Sequence, residues 1–448
     1  MISAVFQFES LRNSPHGFVA LNIGFQKVVI FFRADTVESL VSSTVNITKS
    51  EHYDYMRPWL GTGLLTSSGD HWRRHRKALT PAFHFKLLES FAPVMNSNVK
   101  VLLGRVEKLT SSPNNKEAID IRGLICDMAL DIICETAMGT NVGAQSESDD
   151  KEAYRRPIEI ATEQLVRRFV NPLYRSDLLY SLSADGAENR RVMGKIHHFV
   201  KRVIKERKEF LQSKLQAEEE NQRESRGGGA PEEEPLVKEK HPFLDSLLLT
   251  HFKNPLEFTE TDILDEVNTF MVAGHDTTAE GIIWTMLLIG NDSRVQAAIA
   301  AELEQVFAGE EDDCEITTEH CRQMKYLEMA IKEALRIFPS VPSAARKVDQ
   351  DFTVNGHVIP AGCTAIIFIH LLHKDPKYFP KPEQYIPERF LADSDVYKVP
   401  YAYMPFSAGA RNCVGQKFAM LEMKITLASI FRKYTVKATT HREEVKGL

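Results

Sequence analysis

The chain has 448 residues, 43% of them hydrophobic and 26% charged, with a net charge of −6. That is globular composition with material for a large core, and the acidic balance argues against a nucleic-acid binder. Six cysteines without a Cys-x-x-Cys pair fit a reducing, cytosol-facing compartment better than a disulfide scaffold. There is no run of about 20 apolar residues of the kind a transmembrane helix needs, and no signal-peptide pattern follows Met1.

Residues 18–33 are rich in β-branched and aromatic residues and predict two strands around Gly24. Asp35 to Ser43 then predicts a helix. Tyr53 to Asp70, punctuated by Pro58, Gly61, Gly63 and Gly69, reads as loop. Trp72-Arg73-Arg74-His75-Arg76-Lys77 opens a helix on which Trp72 and Arg76 share a face. Long helices are expected over 86–109, 119–138, 151–170 and 187–220. Residues 218–240 hold two Glu triplets and Gly227 to Gly229 without apolar periodicity, and predict a disordered acidic surface loop.

Thr259 and Asp262 form a capping-box pattern for a helix reaching Gly290, about 45 Å long at 1.5 Å per residue. Its centre reads Ala273-Gly274-His275-Asp276-Thr277-Thr278. Glycine and threonine are poor mid-helix residues, and threonine hydroxyls can bond back to the i−4 carbonyl and bend the axis. A local rule broken inside a long apolar helix is where function is expected. Met324 to Ile337 predicts another helix, stopped by Pro339, with Glu333 and Arg336 on one face. Phe352 to Pro360 and Thr364 to Phe368 predict strands, with turns at Asn355-Gly356 and Ala361-Gly362.

Near the C-terminal end stands Phe406-Ser407-Ala408-Gly409-Ala410-Arg411-Asn412-Cys413-Val414-Gly415. Phe418, Leu421, Ile425 and Ala428 then recur at helical spacing. Cys413 therefore lies at or just before a helix N-terminus, where the dipole favours an anion and lowers a thiol pKa. Gly409 and Gly415 clear space on either side of the sulfur, and Arg411 adds a cation. An isolated cysteine is by default buried and inert. A thiolate approachable from one side, however, suits axial ligation of haem iron.

That stretch resembles the haem-binding signature of the cytochromes P-450, matched at Phe406, Gly409, Arg411, Cys413 and Gly415. The centre of the long helix resembles the family's oxygen-activation motif. Trp72-x-x-x-Arg76 and Arg346 are similar to the residues that bond the haem propionates. Glu333-x-x-Arg336 with Pro387-Glu388-Arg389-Phe390 is similar to the network that supports the haem loop, in which Arg389 joins Glu333 and Arg336. The run from His75 to Phe85 resembles family 4, the fatty-acid hydroxylase branch.

The resemblance implies a mainly α fold with small β-sheets, formed by residues 1–448 as a single domain. It implies haem b between the long central helix and the cysteine loop, with Cys413 as the axial thiolate. The implied reaction inserts one oxygen atom of O2 into a C–H bond of a lipophilic substrate, a fatty acid or related lipid. Electrons would come from NADPH through a flavoprotein reductase, with cytochrome b5 as a further partner, at the cytosolic face of the endoplasmic reticulum membrane. Asp276 and Thr277 would relay protons. At Ala273 many family 4 members carry a Glu that becomes esterified to a haem methyl, so here the haem would be held without that bond. The chain starts inside what resembles the first sheet, lacks the membrane anchor and proline-rich hinge, and stops where relatives continue into terminal strands, which reads as truncation. Two other readings stand beside this one: a haem-thiolate isomerase or dehydratase acting on peroxides, and an inactive haem-binding product.

Overall fold

The chain is seen in a computed structural model that describes residues 14–24, 26–83, 85–111, 118–146, 151–226 and 241–445. The β-branched opening forms a hairpin of β1 (Phe18–Ile23) and β2 (Gln26–Phe31), with Phe18 opposite Phe31. Helices follow: α1 (Ala34–Val41), α2 (Arg57–Leu60), α3 (Gly69–Leu79), α4 (Phe85–Thr110), α5 (Arg122–Ile133), α6 (Lys151–Val170), α7 (Asp177–Leu182), α8 (Ala184–Arg226), α9 (Phe243–Lys253), α10 (Glu260–Gly290), α11 (Ser293–Val306), α12 (Thr318–Gln323) and α13 (Lys325–Ile337). Then come β3 (Ala344–Lys347), β4 (Phe352–Val354), β5 (His357–Ile359), β6 (Thr364–Ile367), α14 (Ile369–Leu372) and α15 (Gln416–Lys433). No helix among the described residues is long and apolar enough to cross a membrane.

Packing divides the chain into two units. The first comprises Met1–Asp54, Met95–Cys126 and Asp276–Leu448. Its four-stranded sheet has the order β1-β2-β6-β3. β2 runs parallel to β6, with Val28 opposite Thr364, and β3 runs antiparallel to β6, with Arg346 opposite Ala365. β4 and β5 form a separate hairpin, whose turn residues Asn355 and Gly356 both have positive φ, as a two-residue type I′ turn requires. Phe31, Val37, Leu40, Ala365, Ile367 and Phe379 make the core against which α1 lies. The second unit comprises Tyr55–Val94 and Asp127–His275. Within it Tyr154 of α6 stacks on Phe199 of α8 at 4.6 Å, and Arg207 of α8 forks onto Asp245 of α9 with both bonds at 2.6 Å.

Three segments differ from the sequence reading. Tyr53 to Asp70 is not all loop: a 3-10 turn covers Glu51–Met56, α2 follows, and Trp59 and Leu60 are buried. Pro58 sits in the first turn of α2, where its missing N–H costs nothing. The helix expected over 119–138 starts at Arg122 and ends in a π turn at Cys134–Met138. The expected acidic loop is helical to Arg226, because α8 continues through strong helix formers with Lys214 and Glu218 paired at i,i+4. Residues 227–240 lie outside the described residues.

α10 begins as its capping pattern predicts. Asp262 Oδ2 accepts from the Thr259 amide and hydroxyl at 2.9 and 2.8 Å, and the Asp262 amide donates to Thr259 Oγ1 at 3.1 Å. The helix runs unbroken to Gly290. Two devices accommodate its unusual centre. A Cβ on Gly274 would lie 2.7 Å from the Ile133 side chain, so glycine lets α5 approach. The Thr277 carbonyl accepts from Ser340 Oγ at 2.8 Å.

Candidate active site

Cys413 lies between a 3-10 turn at Gly409–Arg411 and the start of α15, which buries Phe418, Leu421, Ile425 and Ala428. The loop is held by its own backbone: the Cys413 amide donates to Phe406 O at 2.9 Å, and Ser407 N to Met404 O at 3.0 Å. Gly409 has φ 70°, and a Cβ there would fall 1.9 Å from the Val41 carbonyl. The space left by Gly409 therefore goes to α1. At Gly415 a Cβ would meet only Cys413 Sγ, at an ordinary contact distance of 3.9 Å, so the sulfur does not require a glycine there. Of the six cysteines, all among the described residues, only Cys413 is exposed. Burial pushes the Cys134 thiol well above its ordinary range and the Cys321 thiol up to about 11. Those two are protonated at neutral pH and make poor thiolate ligands.

Behind the loop is a buried polar network. Glu333 and Arg336 on α13 are fully buried. Arg336 donates from Nε and Nη2 to the two Glu333 oxygens at 2.7 and 2.8 Å. Arg389 Nε reaches Glu333 Oε1 at 3.2 Å, and the Ile386 amide the same oxygen at 3.1 Å. Arg336 Nη1 also donates to the His373 carbonyl at 2.9 Å, and His373 Nε2 accepts from the Met404 amide at 2.9 Å. One chain of bonds thus runs from α13 to the entrance of the cysteine loop. His373 was not singled out by any sequence pattern.

This link is sensitive to acid. Burial, followed by the charge of Arg336, pushes His373 down to about 3. An unfolded histidine titrates near 6.5. Between those values the unfolded chain binds the extra proton, so stability falls as pH drops from about 6.5 toward 3. Urea midpoints measured from pH 7 to pH 5 should fall. The fall should be shallower by about one proton's slope in His373→Gln; an identical slope would remove His373 from the linkage.

The same unit gathers cations. Arg346 is 3% exposed on β3 and donates from Nη1 to Leu40 O at 3.2 Å and Asn46 O at 3.3 Å. Burial lowers its pKa to about 10. Arg411 Nε donates to Ile47 O at 2.9 Å. The Lys49 ammonium sits 4.1 Å over the Tyr53 ring, and its pKa is lowered by burial and then by nearby charges including Arg411 and Arg346. Such a cluster can hold a dianionic group. Lys49 and Tyr53 carry no motif, and only the pairing of Lys49 with Arg346 across an isolated bridge brings them in.

In the second unit, Trp72 on α3 is buried and Arg76 half-buried, while Arg73, Arg74 and Lys77 are exposed. Along α10, Ala273 is exposed and Asp276, Thr277, Glu280, Ile283 and Trp284 are half-buried, whereas Met271, His275, Thr278, Ala279 and Ile282 are buried. The accessible positions recur every three to four residues, so they form one face of the helix. Glu280 on that face is paired with Arg122.

The family model described as Cytochrome P450 matches residues 3–446. The chain belongs to the cytochrome P450 family. This P450 is 41% identical to Cytochrome P450 4V2 of Mus musculus over 441 residues, covering 98% of the chain and 80% of the relative. It is 39% identical to Cytochrome P450 4c3 of Drosophila melanogaster over 418 residues, covering 93% and 76%. Its fold matches the crystal structure of the cytochrome P450DA heme domain with a TM-score of 0.76 at 21% identity, covering 96% of this chain and 87% of that one. The mainly α architecture with small sheets is thus the P450 fold, as expected, and the protein is a haem-thiolate monooxygenase. A haem bound through a cysteine thiolate supplies O2 activation, since the thiolate pushes electron density toward O–O cleavage. The chain fits such a group: an exposed sulfur with glycine beside it, and positive side chains for its carboxylates.

Proposed function

We propose that Cys413 is the haem ligand of this P450 and that it hydroxylates a fatty acid or related lipid. The carrying observation is that Cys413 alone among the six cysteines is exposed, at the end of a loop braced from behind. In this reading Arg346 and Arg411, with Trp72 and Arg76, hold the haem carboxylates, and Phe406, Gly409 and Gly415 shape the loop. Glu333, Arg336 and Arg389 position the loop without touching the reacting atoms. The lipid assignment rests on the likeness of His75 to Phe85 to family 4 and on the family 4 names of the relatives. Ala273 offers no carboxylate to esterify, so the haem is held by Cys413, the contacts to its carboxylates and packing, without an ester bond.

Electrons come from NADPH through a flavoprotein reductase, with cytochrome b5 as a second donor. The exposed cations Arg73, Arg74 and Lys77 suit steering of an acidic partner. Val170, Leu173, Leu178, Leu179 and Leu182 expose 49–77% of their surface within one short stretch. Apolar side chains so concentrated favour a membrane surface, here the cytosolic face of the endoplasmic reticulum. The test is a spectrum of the reduced, CO-bound protein followed by turnover of medium and long fatty acids with reductase and NADPH. Intact thiolate spectra without any NADPH-dependent lipid product would overturn the substrate assignment.

Asp276 and Thr277 lie on the accessible face of α10, and there they hold and pass a proton toward the reacting oxygen. Proton delivery of this kind contributes about 10²–10⁴-fold. Thr277→Ala should keep the CO spectrum but cut product by roughly 10²-fold, with NADPH still consumed and peroxide released. Normal coupling in this variant removes Thr277 from the relay.

A further inference from the structure

On α3, His71 and His75 are four residues apart, and on α10 so are Asp262 and Glu266; each pair projects from one face of its helix. The second unit brings the two pairs together. His75 Nδ1 lies 2.6 Å from Glu266 Oε1, with both side chains fully buried. The other ring nitrogen, His75 Nε2, is buried without a hydrogen-bond partner. It stands 3.8 Å from Asp262 Oδ1, and His71 Nε2 stands 3.9 Å from the same oxygen. The two imidazole rings are 3.9 Å apart. Asp262 divides its oxygens: Oδ2 caps α10 and Oδ1 is left toward the histidines.

A single histidine on a packed helix face is ordinarily a satisfied core residue. His75 is half satisfied, and its open nitrogen shares a focus with a second imidazole and a carboxylate oxygen. All three atoms lie within 4.8 Å of one another. We propose that His71, His75 and Asp262 form a binding site for a borderline divalent transition metal of the zinc class, tying α3 to the first turn of α10.

The donor chemistry selects that class. Two imidazole nitrogens and one carboxylate oxygen, with water as the fourth ligand, suit Zn2+, whereas Mg2+ and Ca2+ take oxygen ligands. Bonds of about 2.0–2.1 Å in a tetrahedron place ligand atoms about 3.4 Å apart, so the two nitrogen–oxygen separations, 3.8 and 3.9 Å, need to close by about half an ångström. The two imidazole nitrogens, within 4.8 Å of each other, close by rotation of the partly exposed His71 side chain. Glu266 accepts the His75 Nδ1 proton and so presents Nε2 as the donor. That is the outer carboxylate that metal-bound histidines regularly have. The Leu64 amide holds the second Glu266 oxygen at 3.1 Å. His71 Nε2 now lies 3.0 Å from Thr62 O, and that contact is the one a metal replaces. Side-chain exposures of 31% for His71 and 13% for Asp262 leave a path for the ion.

The test uses the holoenzyme, stripped with a chelator and titrated with zinc chloride. It should retain one equivalent through gel filtration, with X-ray absorption at the zinc edge reporting nitrogen and oxygen neighbours and no sulfur. Zinc should also raise the melting temperature, and excess magnesium should not displace it. His71→Ala and Asp262→Asn should each weaken binding at least tenfold and abolish the zinc-dependent melting shift. Asparagine keeps one oxygen for the helix cap, and His71 is partly exposed, so both variants fold. His75 is left intact because its burial endangers folding. Wild-type protein that retains no zinc overturns the proposal, as does binding equally tight in both variants.

Discussion

Cys413→Ser should remove the red-shifted Soret band of the reduced, CO-bound protein and bring lipid hydroxylation to background. Serine matches cysteine in size, and the bonds that shape the loop, Cys413 N to Phe406 O and Ser407 N to Met404 O, use backbone alone. The variant therefore tests ligation rather than folding. An alcohol stays protonated at neutral pH and donates little charge, so the electron push that a thiolate gives is lost. No other cysteine is placed to substitute. Cys126, Cys134, Cys321 and Cys363 are buried, and Cys314 is half-buried. Survival of the thiolate band in Cys413→Ser would move the ligand elsewhere and overturn the proposed site.

Glu333→Gln should be the most damaging single change away from the sulfur. Glu333 receives two bonds from Arg336, one from Arg389 and one from the Ile386 amide. Neutralising it leaves two guanidinium groups facing each other in a buried site. Removing one partner of a buried pair costs about 3–5 kcal/mol, a large share of the roughly 5–15 kcal/mol that keeps a domain folded. Lower urea midpoints and substoichiometric haem are expected. The Glu333→Leu, Arg336→Leu double variant should recover part of the loss, because it leaves no uncompensated partner for that pair. A Glu333→Gln protein with wild-type midpoint and full haem would show that the network does not brace the loop.

Local rules carried the helical reading far. The start of α10 was legible because Thr259 and Asp262 speak to each other across three residues, and the α13 pair because i and i+3 share a face. Pro58 was misleading: proline is read as a breaker, yet it opens α2. The acidic run after Glu218 lacks an apolar stripe, but Glu, Gln and Arg sustain a helix without one. Other features lie beyond any local rule. The four-stranded order depends on β2 meeting β6 from the far end of the chain. His373 works through a backbone amide, which leaves no mark on sequence. Gly409 was legible as a glycine that something must approach; that the approaching group is the Val41 carbonyl was not.

The pairing of Val28 with Thr364 and Phe31 with Ile367 has a consequence for a chain still being made. The first hairpin leaves the ribosome hundreds of residues ahead of the strand that completes its sheet. At about 5–20 residues per second the wait is roughly 20–70 s. Through that interval β2 carries a row of unmet N–H and C=O groups beside Val28, Val29, Ile30 and Phe31, all of which end up buried. Such an edge is a template for pairing with other chains. The nascent chain therefore carries this unpaired apolar edge before its cysteine loop exists, so shielding of the hairpin is required before haem can bind at Cys413.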